Sequence, residues 1–130
     1  MSARGSISIV AVTGTLLMCL FALAAADLGA MLHARARAQA AADAAALAAV
    51  VQQAPVLAQG DDPYEAAARM AADNGVTLVR CSCAVGDASA TVEVETRARP
   101  VLLLGWGDRR IMASATATVD PDVFSYRDGG

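Results

Sequence analysis

The residues best suited to chemistry are few. Three cysteines, one histidine and thirteen acidic side chains are spread over 130 residues. Cys81 and Cys83 form the most specific pair. On a fully extended strand, residues i and i+2 share a face and lie about 6.5–7 Å apart. That separation is at or past the limit for a disulfide, which prefers Cα atoms about 4.4–6.8 Å apart. Three states fit the spacing: two buried thiols, a bond within a bent strand, or a bridge to another subunit. A metal pair fits poorly, because no further ligands cluster nearby in sequence. His33 stands beside Arg35 with no serine or cysteine next to it, so it offers neither a metal site nor a nucleophile pair. Cys19 lies within an apolar run and reads as a small apolar filler.

No phosphate-binding glycine loop and no zinc spacing occurs, and the acidic residues alternate along strands or cap turns. The sequence therefore reads as a non-enzyme with no cofactor and no metal. A net charge of −3 and the lack of a basic run argue against a nucleic-acid partner.

The elements that hold these residues follow from composition. Hydrophobic residues make up 56% of the chain, too many for a disordered protein. All ten basic residues are arginine. Residues 6–26 contain no charge. As a helix this run is roughly 31 Å long, which matches a bilayer core of about 30 Å. It reads as a single transmembrane anchor. A cleaved secretory signal ending at Ala24-Ala25-Ala26 is the competing reading. Arg4 precedes the run while Arg35 and Arg37 follow it, so counting charges gives nearly a tie for orientation.

No Gly or Pro interrupts residues 30–54, which are rich in strong helix formers. One helix over 6–54 is expected, half in lipid and half projecting. Ala22, Ala26 and Ala30 recur every fourth residue, a spacing that lets helices approach closely. Leu47 is one of the few large apolar residues of the projecting half, and these four are the expected helix-packing residues. The projecting half packs either on another subunit or on the chain's own domain.

Pro55 ends the helix. The chain then divides into a linker at 55–62 and a small soluble domain at 63–130. Asp62-Pro63-Tyr64-Glu65 has the spacing of an N-cap, a first-turn proline and a capping-box glutamate. It opens a short helix that stops at Asn74-Gly75. Three alternating runs follow, at 76–85, 88–99 and 109–119. In the first, Val79, Cys81, Cys83 and Val85 share one face. In the second, Val92 and Val94 oppose Thr91, Glu93, Glu95 and Arg97. The third puts Ile111, Ala113, Ala115, Ala117 and Val119 on its buried face. The fold class is α+β: a long N-terminal helix, then a small helix and a three-stranded antiparallel sheet. Leu103, Leu104 and Trp106 form an apolar patch between strands, either folded over the sheet or open for docking.

Several pieces together resemble the TadE/TadG-like pilus-assembly family in its short single-pass form. They are Arg4-Gly5-Ser6 before an apolar helix, ARARAQAAADAAALAAV (34–50), ADNGVTLVRC (72–81), LLLGWG (102–107) and RIMASATATVDP (110–121). The resemblance implies a pilin-like minor component of the tight-adherence pilus or secretion machinery. Its N-terminus would be cytoplasmic and its C-terminal domain outside the cell membrane. Its partners would be the lipid bilayer and other pilin-like or secretion-system membrane proteins, copies of itself among them. It also implies Gly5 and Ser6 as a processing point. Two departures stand out. Pilin-type chains usually carry Glu five residues past that glycine, where this one has Val10. Relatives often pair the strand cysteine with one near the start of the short helix, where this chain has Pro63 and Tyr64, leaving Cys83 as the substitute. The alternative role is a membrane-tethered binding module that regulates a membrane complex without entering a fibre.

Overall fold

The computed structural model describes residues 4–54, 60–99 and 108–120. Helix α1 runs unbroken over Arg4–Gln53 and α2 over Pro63–Asp73. Three strands follow: β1 (Thr77–Ser82), β2 (Ser89–Ala98) and β3 (Arg109–Thr118). They form one antiparallel sheet in the order β1-β2-β3. This is the expected α+β architecture.

The local chemistry explains each boundary. In α2 the Asp62 carboxylate accepts a 2.8 Å hydrogen bond from the Tyr64 N–H, satisfying a donor that the first helical turn leaves unpaired. Pro63 follows at a position where its missing N–H costs nothing. At the other end, Asn74 caps the helix and Gly75 takes φ +72°, the left-handed conformation that lets the chain reverse. Gly86, at φ +94°, does the same in the turn between β1 and β2.

The core lies between one face of the sheet and the second half of α1. Ala38, Ala41, Ala42, Ala45, Ala46 and Ala49 are buried there with Val50, against Val92 and Val94 of β2 and Ala67 and Ala71 of α2. Small side chains let the backbones come close, and alternation in β2 supplies the larger valines. Of the two readings of the projecting half, packing on its own domain is therefore realised. In the first half of α1, Ile9, Val10, Val12, Leu16, Leu17, Met18 and Phe21 are all exposed, whereas Asp27 near its end is buried.

Two expectations for β1 are corrected. The register slips between Leu78 and Arg80, so Val79 is an extra residue on the strand. The slip pairs Leu78 with Val94 and Cys81 with Val92, while Val79 is left 46% exposed. Val85 lies beyond the end of the strand and is 78% exposed. Strict alternation predicted both valines on the inner face, but a bulge shifts the period by one residue and the strand stops early. The outer face is polar, as read. Arg80 pairs with Glu93 at 3.8 Å, Arg110 with Glu95 at 3.7 Å, and Thr91 bonds Thr116 at 2.9 Å.

Candidate functional site: the open faces of the long helix

A helix crossing lipid must satisfy its own polar side chains. Thr13 Oγ1 donates to the Ile9 carbonyl at 2.8 Å and Thr15 Oγ1 to the Ala11 carbonyl at 2.9 Å. The hydroxyls of this turn are thus spent on the helix itself. Around them Ala11, Val12, Thr15, Leu16 and Cys19 line a shallow apolar groove. Gly5 and Ser6 lie in the first turns of α1, and nothing more is described of their side chains. The four expected packing residues, Ala22, Ala26, Ala30 and Leu47, are all exposed. None of them is buried among the described residues.

Leu47 marks a second open face. With Ala44, Ala48 and Val51 it lines a groove of about 430 Å³ that Ala66, Arg69 and Met70 of α2 complete. Leu47 is 59% exposed on this surface and Met70 of α2 is 37% exposed beside it. Asp61 and Arg69, paired with each other, stand on its rim. The alanines at 38, 41, 42, 45, 46 and 49 lie instead in the core that α1 forms with the sheet and α2.

Two polar contacts fix how α1 sits on the domain. Gln39 Nε2 donates to the Ser114 carbonyl of β3 at 3.1 Å. Gln53 is 1% exposed, and its Nε2 donates to the Ala84 carbonyl at 2.8 Å. Its Oε1 is buried with no hydrogen-bond partner. Sequence reading did not single out Gln53. A glutamine of the Gln52-Gln53 pair near a helix-ending proline carries no signal of burial.

The structure joins Cys81 and Cys83 by a disulfide, with their Cα atoms 5.4 Å apart. The strand ends at Ser82, so Cys83 lies in a bend and not in extended backbone. That bend brings the pair within bonding range. Both cysteines pack against the edge of the core. Cys19 is a free, exposed thiol. His33 is exposed, and among the described residues no three His, Cys, Asp or Glu side chains come together as metal ligands. Leu103, Leu104 and Trp106 lie outside the described residues, as do residues 55–59 of the expected linker.

The helix that carries these faces is long and apolar enough to cross a membrane. Residues 5–54 match the model of the Flp pilus-assembly TadE/G-like family. The matched segment coincides with α1 almost residue for residue, and agrees with the family that the sequence resembles. No curated protein matches the chain, and no solved structure does. The TadE/G-like helix supports a membrane-anchored component of pilus assembly, and suggests a structural, non-enzymatic protein.

Proposed function

We propose that this chain is a pilin-like minor structural component of a tight-adherence pilus or secretion system, which packs on neighbouring subunits through α1. The observation that carries the proposal is the match over α1 combined with its two open faces. One face is the exposed apolar stretch that includes Ala22, Ala26 and Ala30. The other is the groove around Leu47. Lipid accounts for the first, but not for an exposed leucine raised above the membrane beside Val51 and Met70. A facing helix covers both, and small residues let it come close. In this arrangement the N-terminus is cytoplasmic and the small domain lies outside.

A membrane-tethered regulator that never enters a fibre is the second reading, favoured by Val10. That side chain is 71% exposed in the first half of α1, where a pilin-type chain carries a glutamate that needs a partner in the fibre. Single cysteines placed at Ala26 and at Leu47, with Cys19 replaced by serine, separate the two in intact membranes. Crosslinks to pilin-like subunits from both positions are expected. Crosslinks to one non-pilus protein support the regulator. Loss of the gene with surface pili and secretion unchanged refutes the leading proposal.

A further inference from the structure

The small domain is electrically polar along the axis of α1. Arg37 lies against Gly75, just before β1, since a Cβ placed on Gly75 would sit 2.9 Å from its Nη2. Gln53 holds Ala84, just after β1. β1 therefore runs in the same direction as α1, away from the apolar half of the helix, and β2 runs back towards it. Thr77 pairs with Glu95, so the last residues of β2 extend past the start of β1. At about 3.4 Å per residue, Ala98 reaches roughly 10 Å further towards the apolar half. Arg97 and Arg99 sit on this overhang, and Arg109 and Arg110 face them from β3, Ala98 pairing with Arg109. With Arg35 and Arg37 they place six of the ten arginines at one end of the domain.

The carboxylates at this end are fewer. Asp108 is shared between Arg97 at 3.7 Å and Arg99 at 3.3 Å, Glu95 holds Arg110 at 3.7 Å, and Asp73 ends α2. Among the described residues, Arg35, Arg37 and Arg109 form no ion pair with a carboxylate. The opposite end carries Asp61, Asp62 and Glu65 at the start of α2, and Asp87 in the far turn. A chain with net charge −3 thus presents a basic end to the side where α1 becomes apolar.

The height of that end is set by the helix. Leu28 and Leu32 are exposed, and the next exposed large apolar residue on α1 is Leu47. Leu32 is thus the last exposed large apolar residue of the apolar half, in which Asp27 is buried. Domain packing begins six residues later, at Ala38, roughly 9 Å along the helix. Each headgroup layer is about 5–8 Å thick. The overhang of β2 extends towards this stretch of α1.

We propose that the arginine-rich end of the small domain docks on the anionic phospholipid headgroups of the bilayer that α1 crosses. This rests on the reading of α1 as a membrane anchor. The guanidinium groups are planar multiple donors suited to phosphate, and each contributes roughly fivefold in affinity near an anionic surface. Docking holds the domain at a fixed tilt and turns the Leu47 groove sideways, parallel to the membrane, where a neighbouring anchored helix would meet it.

The test uses the full chain in vesicles of phosphatidylcholine alone, or mixed with phosphatidylglycerol, with amide hydrogen exchange of residues 96–99 and 109–112 as the readout. Docking slows these amides at least about fivefold in the anionic vesicles. The slowing disappears in about 1 M salt, where the screening length is roughly 3 Å. It also disappears when Arg97, Arg99, Arg109 and Arg110 are all changed to Gln, while Val92 and Val94 amides keep their protection and so report an intact sheet. Equal exchange in the two lipids overturns the proposal. So does an equal slowing by inorganic phosphate over phosphatidylcholine, which would mean a phosphate site and not a surface contact. A carbonate wash reports the anchor separately. An anchored chain without lipid dependence refutes docking alone, whereas a chain that washes off refutes the anchor as well.

Discussion

Ala45→Leu is the sharpest test of how this domain is built. Ala45 is fully buried on α1, between Ala41 and Ala49 in the core that α1 forms with the sheet and α2. Leucine adds three carbon atoms. If space were available, burying them would stabilise the fold by about 2.4 kcal/mol, at roughly 0.8 kcal/mol per methylene. Space is not available, because the residues that share this core, Ala67 and Ala71 of α2 with Val92, Val94 and Ala113 of the sheet, are themselves buried. The added atoms must push the helix off the sheet or adopt strained rotamers, at a net cost of about 1–3 kcal/mol. That cost is a large share of what a domain of this size has in reserve. Hydrogen exchange at the Val92 and Val94 amides in detergent reads the opening free energy of the domain directly. A loss of 1–3 kcal/mol corresponds to exchange about 5–150-fold faster. Ala44→Leu is the control. Ala44 lines the open groove, where a leucine finds room beside Leu47, so exchange should change less than about twofold. Unchanged or slower exchange in Ala45→Leu would show slack between α1 and the sheet, and would refute close alanine packing as the basis of the core.

Further predictions follow from single contacts. Gln53→Glu places a carboxylate at a buried site where Gln53 now donates to the Ala84 carbonyl, and should cost on the order of 3 kcal/mol at neutral pH. Burial raises the folded-state pKa of that carboxyl above its unfolded value of about 4.3. The penalty is therefore absent below about pH 4 and grows as pH rises, so the variant should regain wild-type exchange rates in acid; a pH-independent difference would refute the account. Reducing the Cys81–Cys83 bond opens a loop of only three residues, and chain entropy predicts a loss of roughly 1.5 kcal/mol. Alkylation after reduction, followed by mass analysis and exchange, checks both the bond and its small effect. Asp62→Ala removes the cap on the Tyr64 N–H and should cost about 1 kcal/mol, read as faster exchange in the first turn of α2.

Much of this architecture is legible in the sequence because the deciding interactions are local. The unbroken run of helix formers gives α1, Asp62-Pro63 starts α2, Asn74-Gly75 ends it, and the alternation of Val92 and Val94 gives the buried face of β2. These are consequences of neighbouring residues, propensity and period. Residues whose role depends on distant parts of the chain are less visible. Gln53 looks like an ordinary polar residue near a helix end, and only the approach of Ala84, 31 positions away, makes it a buried tie. Val79 obeys the alternating pattern, yet pairing with β2 needs a bulge there and turns it outwards.

The sequence by itself determined that a bilayer-length helix continues without a break into an alanine-rich half, because no Pro occurs before Pro55 and no Gly falls between Gly29 and Pro55. It also determined that a small α+β unit follows. Only the tertiary structure decided how the alanines are shared. Those at 38, 41, 42, 45, 46 and 49 are buried against the sheet and α2, while Ala44 and Ala48 are half-buried beside an exposed Leu47, because one helix can show only part of its circumference to its neighbours. Tertiary structure likewise gathered arginines scattered over 75 positions, from Arg35 to Arg110, onto the end of the domain nearest the apolar helix. The direction in which β2 runs relative to α1 sets that arrangement, and no local pattern encodes it.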